Sequence, residues 1–146
     1  MPLRKRLIIA DDYKPFVELC RDLLEPEFEV IDVAYNGLEL LTKLSVRQPD
    51  AVLIDVFMPL MNGLYAAEQI KKKYPGIKMI FLTADPRPAI RAAALDRGAS
   101  AVIVKGDSHE LLTVLKRSLN EPSSSKPVLL DMDSTHPSQR FGQTEK

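Results

Sequence analysis

The sequence predicts an α/β fold, a doubly wound parallel sheet of five strands with helices on both faces. Five short runs rich in Val and Ile recur along the chain, and runs that are apolar throughout are typical of strands covered on both sides. Segments with apolar residues at helical spacing lie between them. Turn-forming pairs such as Asn36-Gly37 and Pro75-Gly76 separate the segments. This alternation indicates successive βα units.

The five runs are predicted as strands in chain order: Leu7–Ala10, Val30–Ala34, Ala51–Ile54, Met79–Leu82 and Ala101–Val104. Lys14-Pro15 predicts the start of the first helix, because proline loses nothing by lacking an N–H in the first turn. Apolar residues then follow at helical spacing from Phe16 to Leu24. Leucine stripes predict a second helix around Leu41 and a last one around Leu115.

The overall composition narrows the class of protein. The chain has 146 residues, with 20 Lys and Arg balanced by 20 Asp and Glu, which argues against a protein that coats nucleic acid. Its single cysteine, Cys20, has no internal disulfide partner, which favours a reducing compartment. The run Leu7–Ala10 is too short for a signal peptide, and no run approaches the ~18 residues that span a bilayer. We expect a cytoplasmic protein with no membrane partner.

The composition changes near Asn120. The segment Pro122–Pro127 is rich in serine and proline, as linkers are, and the sequence after it is mostly polar. We therefore expect residues 1–120 to form one domain and residues 121–146 to form a flexible polar linker and tail.

Polar residues follow four of the five predicted strands. Asp11 and Asp12 follow strand 1, and Asp55 follows strand 3. Thr83 and Lys105 end strands 4 and 5. Ligands of open α/β sheets bind beyond the carboxyl ends of the strands, so these groups are expected to converge. Taken singly, the aspartate pair could cap the first helix, Thr83 could bond its own backbone and Lys105 could be a solvated charge.

The convergence of these groups points to phosphoryl chemistry. Crowded carboxylates repel one another, so the cluster either retains a proton or binds a cation. Oxygen ligands suit Mg²⁺, which in turn attracts phosphate, and Thr83 and Lys105 could contact further phosphate oxygens. A carboxylate can itself be the nucleophile and form an acyl phosphate. Asp55, between the acidic pair and the other two groups, is the natural choice.

From about Leu7 to Leu119 the chain resembles the receiver domains of two-component response regulators, the CheY-like superfamily. The matching segments are Ile8–Asp12, Asp55–Gly63, Leu82–Ala84, Gly98–Ser100 and Val104-Lys105. Lys105-Gly106 and the helix around Leu111 are most similar to receivers found ahead of LuxR-type helix-turn-helix domains. The resemblance implies the flavodoxin-like strand order 2-1-3-4-5.

The resemblance also implies roles for the acidic residues. Asp55 would accept a phosphoryl group from a phosphohistidine of a sensor histidine kinase. Asp12 would bind Mg²⁺ directly and Asp11 largely through water, with the backbone carbonyl of Phe57 as a further ligand. Because Asp55 is consumed and then regenerated by hydrolysis, the protein is not expected to be a turnover enzyme.

The remaining implied roles concern signal output. Thr83 would move toward the phosphoryl group, and Lys105 would pair with it. Output would pass to a protein target or a homodimer through the face formed by helix 4, strand 5 and helix 5. This face would include Arg87, Arg91, Arg97 and the exposed side of Asp107–Leu119. Direct binding of nucleic acid by this chain is not expected.

Two departures from the family pattern carry their own predictions. Val102 stands where the family often has Tyr or Phe, which predicts a weaker change at the output face. Phe57 and Asp85 lie two residues beyond Asp55 and Thr83, beside the path of the attacking water. A bulky ring and an extra carboxylate there predict slow hydrolysis and a long-lived phosphoryl form.

Other functions remain open at this stage. A dinucleotide-binding domain would need G-x-G-x-x-G after strand 1, where the chain has Asp12–Pro15. A receiver-like binding module without phosphorylation is harder to distinguish by sequence from a phosphoacceptor receiver. The same holds for the remnant of a longer transcriptional regulator.

The tail carries one further motif. Val128–Thr135 ends in D-x-D-x-T, similar to the first motif of haloacid-dehalogenase phosphohydrolases and, with Gly142 and Glu145, to the acidic motif of some transposases. Only 11 residues follow Thr135, too few for either enzyme domain, so no second enzyme is expected there.

Overall fold

Strands and helices alternate in the predicted order in the computed structural model, which describes residues 3–106, 108–120 and 128–130. The strands are β1 Arg6–Ala10, β2 Glu29–Ala34, β3 Ala51–Asp55, β4 Lys78–Thr83, β5 Ala101–Val104 and β6 Val128–Leu130. The helices are α1 Lys14–Leu24, α2 Gly37–Val46, α3 Gly63–Lys73, α4 Pro88–Asp96 and α5 Ser108–Asn120.

The sheet is parallel, with the order β2-β1-β3-β4-β5-β6. The predicted order 2-1-3-4-5 of the first five strands is confirmed. The predicted five-stranded sheet gains a sixth strand, because Val128–Leu130 pairs with β5 over three residues. The remainder of residues 121–146, including the D-x-D-x-T motif, lies outside the described residues, and the flexible tail stays a prediction.

The core has two layers, one on each side of the sheet. Successive strand residues point to opposite faces, so Leu7 and Ile9 of β1 face one layer while Ile8 and Ala10 face the other. Buried residues of α1 and α5 complete the first layer. Buried residues of α2, α3 and α4 complete the second. Both faces of the central strands are therefore covered, as their continuous apolar sequence predicts.

Local sequence explains where the helices begin. Pro15 lies in the first turn of α1, where its missing N–H is not needed. The side chains of Asn36 and Asn62 cap α2 and α3 by accepting the N–H groups of Glu39 and Tyr65. Within the described part of the chain, no helix is long and apolar enough to cross a membrane.

The edge of the sheet at β2 is covered by side chains. Lys43 Nζ donates to the Val33 carbonyl at 2.6 Å, and Arg47 donates to the Ile31 carbonyl at 2.5 Å. The Asp32 carboxylate accepts the Val33 N–H at 2.9 Å. These bonds occupy backbone groups that a further strand would use. At the opposite end of the sheet, β6 covers β5.

Cys20 lies on the buried face of α1 and is only 1% exposed. Burial, together with the negative charge of Asp11, raises the pKa of its thiol to about 12. The thiol is therefore protonated at neutral pH and packs as a small apolar side chain.

Candidate functional site

Three carboxylates meet at the carboxyl ends of β1 and β3. One oxygen from each of Asp11, Asp12 and Asp55 lies within 4.8 Å of the others. Asp11 is fully buried and Asp55 is 6% exposed, whereas Asp12 faces solvent. The parallel register of β1 and β3 produces this cluster, because it places both strand ends at the same edge of the sheet.

Lys105 supplies the positive charge of the cluster. Its Nζ lies 2.6 Å from Asp11 Oδ2 and 3.2 Å from Asp55 Oδ1. The ammonium also lies 4.4 Å from the centre of the Phe16 ring, a cation–π contact. Its backbone N–H donates to the Thr83 carbonyl at 2.7 Å, which fixes the end of β5 against β4. One ammonium among three carboxylates leaves a formal excess of two negative charges when all are ionised.

Burial changes the acidity of Asp55. Loss of solvent, reinforced by the charge of Asp11, raises the pKa of Asp55 to about 6, although Lys105 opposes the shift. Burial alone would lower the pKa of Lys105, but its hydrogen bond to Asp11 and the charge of Asp55 raise it instead. At neutral pH the lysine is therefore charged and most Asp55 carboxylates are ionised.

Thr83 lies at the same edge but is bonded to its own loop. Its Oγ1 accepts the Asp85 N–H at 2.9 Å and donates to the Asp85 carbonyl at 3.3 Å. The register pairs Thr83 with Val104 on β5. The structure thus places the predicted hydroxyl beside the strand that leads to Lys105, with its hydrogen bonds made within the β4–α4 loop.

The loop after β3 is held tightly against the site. The Gly63 N–H donates to the Val56 carbonyl at 2.8 Å, and a Cβ at Gly63 would lie 2.2 Å from the Asp55 carbonyl oxygen. Only glycine fits this approach. Leu60, at the tip of the loop, has a positive φ of 66°, and Phe57, two residues after Asp55, is 53% exposed.

Ion pairs occupy two of the arginines predicted on the output face. The Arg87 guanidinium binds both oxygens of Asp85 at 2.6–2.9 Å, and the Arg97 side chain lies 3.2 Å from Glu68 of α3. The first pair holds the pKa of the Asp85 carboxyl below its usual range. Arg91 is half-buried, and Asp107 lies outside the described residues.

Two neighbours of the site have roles that the sequence pattern does not predict. The pattern places Phe16 only in the apolar stripe of α1, and Arg87 only on the output face. Their sequence positions held a signal, because Phe16 lies four residues after Asp12 and Arg87 four after Thr83. Both therefore lie in the loops and first turns that follow strand ends.

Comparison with known protein families identifies the domain. Residues 7–116 match the family described as the response regulator receiver domain. The chain belongs to this family. It is a receiver domain of two-component response regulators, and the acidic edge of its sheet is the cluster expected from that resemblance. Receivers are signalling modules that are not themselves enzymes.

Characterised relatives support this assignment. The chemotaxis protein CheY of Halobacterium salinarum is 32% identical over 103 residues, which cover 70% of this chain and 86% of that protein. CheY of Listeria monocytogenes is 36% identical over 101 residues, covering 68% and 85%. The transcriptional regulatory protein LnrK of Bacillus subtilis is 35% identical over 109 residues, 73% of this chain but half of that protein.

Solved structures agree with the fold. A CheY-like receiver protein from Methanospirillum hungatei has a TM-score of 0.75 at 30% identity, covering 81% of this chain and 95% of that one. A LuxR-family DNA-binding response regulator from Staphylococcus aureus has a TM-score of 0.75 at 28% identity, covering 80% and 99%. For a LuxR-family response regulator from Aurantimonas the TM-score is 0.81 at 22% identity, and the likeness covers 97% of both chains.

Proposed function

We propose that this receiver accepts a phosphoryl group on Asp55 from a phosphohistidine of a sensor histidine kinase. The observation that carries the proposal is the position of Asp55. Its carboxylate is nearly buried, lies 3.2 Å from the Lys105 ammonium and belongs to a cluster with Asp11 and Asp12. A carboxylate with this surplus of negative charge nearby needs cationic compensation before it can approach an anionic phosphoryl group.

The proposed transfer is a single displacement at phosphorus. One Asp55 oxygen forms a bond to phosphorus while the P–N bond to the kinase histidine breaks, and the imidazole nitrogen keeps the electron pair. The product on this chain is an acyl phosphate. The Lys105 ammonium balances charge on the phosphoryl oxygens. The Thr83 hydroxyl gives up its hydrogen bond to the Asp85 carbonyl and donates a hydrogen bond to a phosphoryl oxygen instead. Phosphoryl transfer requires mainly this positioning and charge balance.

The donor set fits a magnesium ion. Asp11, Asp12 and Asp55 offer only oxygen ligands, their excess of two negative charges matches a divalent cation, and Asp12 faces the solvent from which a hydrated ion would arrive. Together with the Phe57 carbonyl, these residues would hold the ion. When bound, Mg²⁺ neutralises negative charge on the phosphoryl oxygens.

Signal output is proposed to use the face formed by α4, β5 and α5, toward a protein target or a second copy. Arg87 is exposed there, although its charge is balanced by Asp85. Val102 is buried at 1% exposure in the layer that α4 covers. Because no aromatic ring occupies this position, a weaker change at this face on phosphorylation remains the expectation. Chemical-shift mapping with a phosphoryl mimic tests it, and large shifts across the face would contradict it.

The lifetime of the phosphoryl group is proposed to be long. Phe57 lies two residues after Asp55 and is 53% exposed, and we expect its ring to restrict the approach of water to the phosphoryl group. Asp85 contributes less than its charge suggests, because Arg87 binds both of its oxygens. Phosphoryl loss followed by mass spectrometry measures the lifetime, and a half-life of seconds would contradict the proposal. Phe57→Ala should shorten it.

Intact-mass measurement after incubation with acetyl phosphate and Mg²⁺ tests the acceptor itself. We expect the unsubstituted chain to gain one phosphoryl group, and Asp55→Asn to gain none. Asp32→Asn, which removes a surface carboxylate on β2, is the matched control and should gain the group normally. No gain in the unsubstituted chain, or a gain that survives Asp55→Asn, would favour a receiver-like binding module without phosphorylation.

A further inference from the structure

The sixth strand distinguishes the β5 edge from the β2 edge. At β2, side chains of Lys43 and Arg47 occupy the carbonyl oxygens of Val33 and Ile31. At β5, backbone fills the same role: Ala101–Ile103 pairs in parallel with Val128–Leu130. One edge is thus covered by side chains of the domain, and the other by a segment that follows the domain in sequence.

We propose that β6 is a displaceable cover of the β5 edge: Val128–Leu130 of the same chain docks on this edge by parallel pairing and leaves it readily.

The length of β6 makes displacement easy. Only three residue pairs join it to β5, so it adds few backbone hydrogen bonds, and each such bond contributes little net stability in water. Ordering the residues of β6 opposes this gain, so we expect the segment to dock and leave readily.

The location of β6 gives its docking a functional meaning. Ile103, which pairs with Leu130, lies two residues before Lys105. Any occupant of this edge therefore pairs with the strand that positions the site lysine against Asp11 and Asp55. The edge is also part of the face proposed for output. The inference itself does not depend on phosphoryl transfer, because every measurement below uses unphosphorylated protein without metal.

Amide hydrogen exchange of the full chain tests the cover. Leu129→Pro removes a backbone donor and opposes strand pairing, and we expect amides of β5 to exchange at least fivefold faster. Ser124→Pro is the matched control, since it places the same residue in a segment that already holds Pro122 and Pro127; it should change β5 exchange less than twofold. Equal exchange in the two variants would overturn the proposal.

A peptide of residues 126–131 provides the second measurement. Added in excess to Leu129→Pro, it should restore the protection of β5. Added to the unsubstituted chain, it should speed exchange at 128–130 while β5 stays protected. This measurement does not depend on the proline variant, and so remains valid if that variant destabilises the whole sheet. No effect of the peptide in either case would overturn the proposal. So would β5 exchange in the unsubstituted chain that slows with protein concentration, because a second copy would then be the cover.

Discussion

Two lysines of this receiver each bridge a pair of carboxylates, with different consequences. Lys105 lies 2.6 Å from Asp11 and 3.2 Å from Asp55. Lys43 lies 3.1 Å from Asp32 and 3.5 Å from Glu39. The side chains of the first pair of acids are 0% and 9% exposed, and those of the second 39% and 35%.

Burial separates the two clusters. Water screens the Lys43 cluster, so its ion pairs contribute little energy and Lys43 serves the β2 edge by binding the Val33 carbonyl. Around Lys105 the charges are poorly solvated, and Asp12 adds a third carboxylate that the lysine does not balance. The same residue types therefore cover a sheet edge at the surface in one place. In the other they form a buried site whose excess negative charge favours the binding of a cation.

Removal of Lys105 should have the largest effect on stability. In metal-free protein at pH 8, we expect Lys105→Met to lower the free energy of unfolding by about 3 kcal/mol, because it leaves two buried carboxylates without their cation. Urea denaturation measures the change. The matched substitution at the surface cluster, Lys43→Met, should cost much less. Equal losses in the two variants would show that burial does not separate the clusters.

Removal of the Asp55 charge should have the opposite sign. The pKa of Asp55 is about 6 in the folded protein against 3.8 for the free side chain. Its ionisation therefore opposes folding, and this penalty grows as the pH rises from about 4 to about 6. We expect Asp55→Asn to raise the free energy of unfolding by about 2 to 3 kcal/mol at pH 8 without metal, and by only about 0.5 kcal/mol at pH 4.

The pH dependence is measured by urea denaturation of Asp55→Asn and of the unsubstituted protein at both pH values, with chelator present. If Asp55→Asn gave the same stabilisation at both pH values, the effect would come from packing and not from ionisation.

Magnesium should stabilise the folded protein by binding the buried cluster around Lys105, and not the surface cluster around Lys43. Because the ion binds the folded chain, at ten times its dissociation constant it should raise the free energy of unfolding by about 1.4 kcal/mol. Asp12→Asn should remove most of this gain, whereas Glu39→Gln should keep it. Thermal unfolding with a magnesium titration measures both. A gain that persists in Asp12→Asn would place the ion elsewhere.

The smallest effect is expected at the surface. Lys43→Met should lower the free energy of unfolding by about 0.5 kcal/mol at low ionic strength, because exposed ion pairs are weak. At 1 M salt the Debye length falls to about 3 Å, and most of the difference should disappear. A loss well above 1 kcal/mol would show that water does not screen the charges around Lys43.

Sequence alone predicted most of the fold, because both faces of the central strands are buried. Continuous apolar runs located β1, β3, β4 and β5 to within one residue at each end. Helix starts at Lys14-Pro15 and Asn36-Gly37 were predictable from proline and asparagine chemistry. The run Val128–Leu130 is strand-like in sequence, but its pairing with β5 was not predictable, since three apolar residues pair only where an edge is available.

The candidate site was predictable to the level of strand ends but not of contacts. Topology brings Asp11, Asp55 and Lys105 to one edge whatever their rotamers, and the structure confirms that placement. Two contacts depend on side-chain direction: the cation–π contact of Phe16 with the Lys105 ammonium, and the ion pair of Arg87 with Asp85. Sequence spacing carries no information about that direction.

The buried thiol of Cys20 provides a chemical probe of the separation of α1 from the sheet. A thiol that is 1% exposed and has a pKa of about 12 resists alkylating reagents while α1 stays packed. Its labelling rate therefore measures how often that helix separates from the sheet. The chain has no tryptophan to provide a fluorescence signal and no second cysteine to compete for the reagent. One reagent and one mass measurement thus follow the opening of α1 at pH 8 in the variants described above.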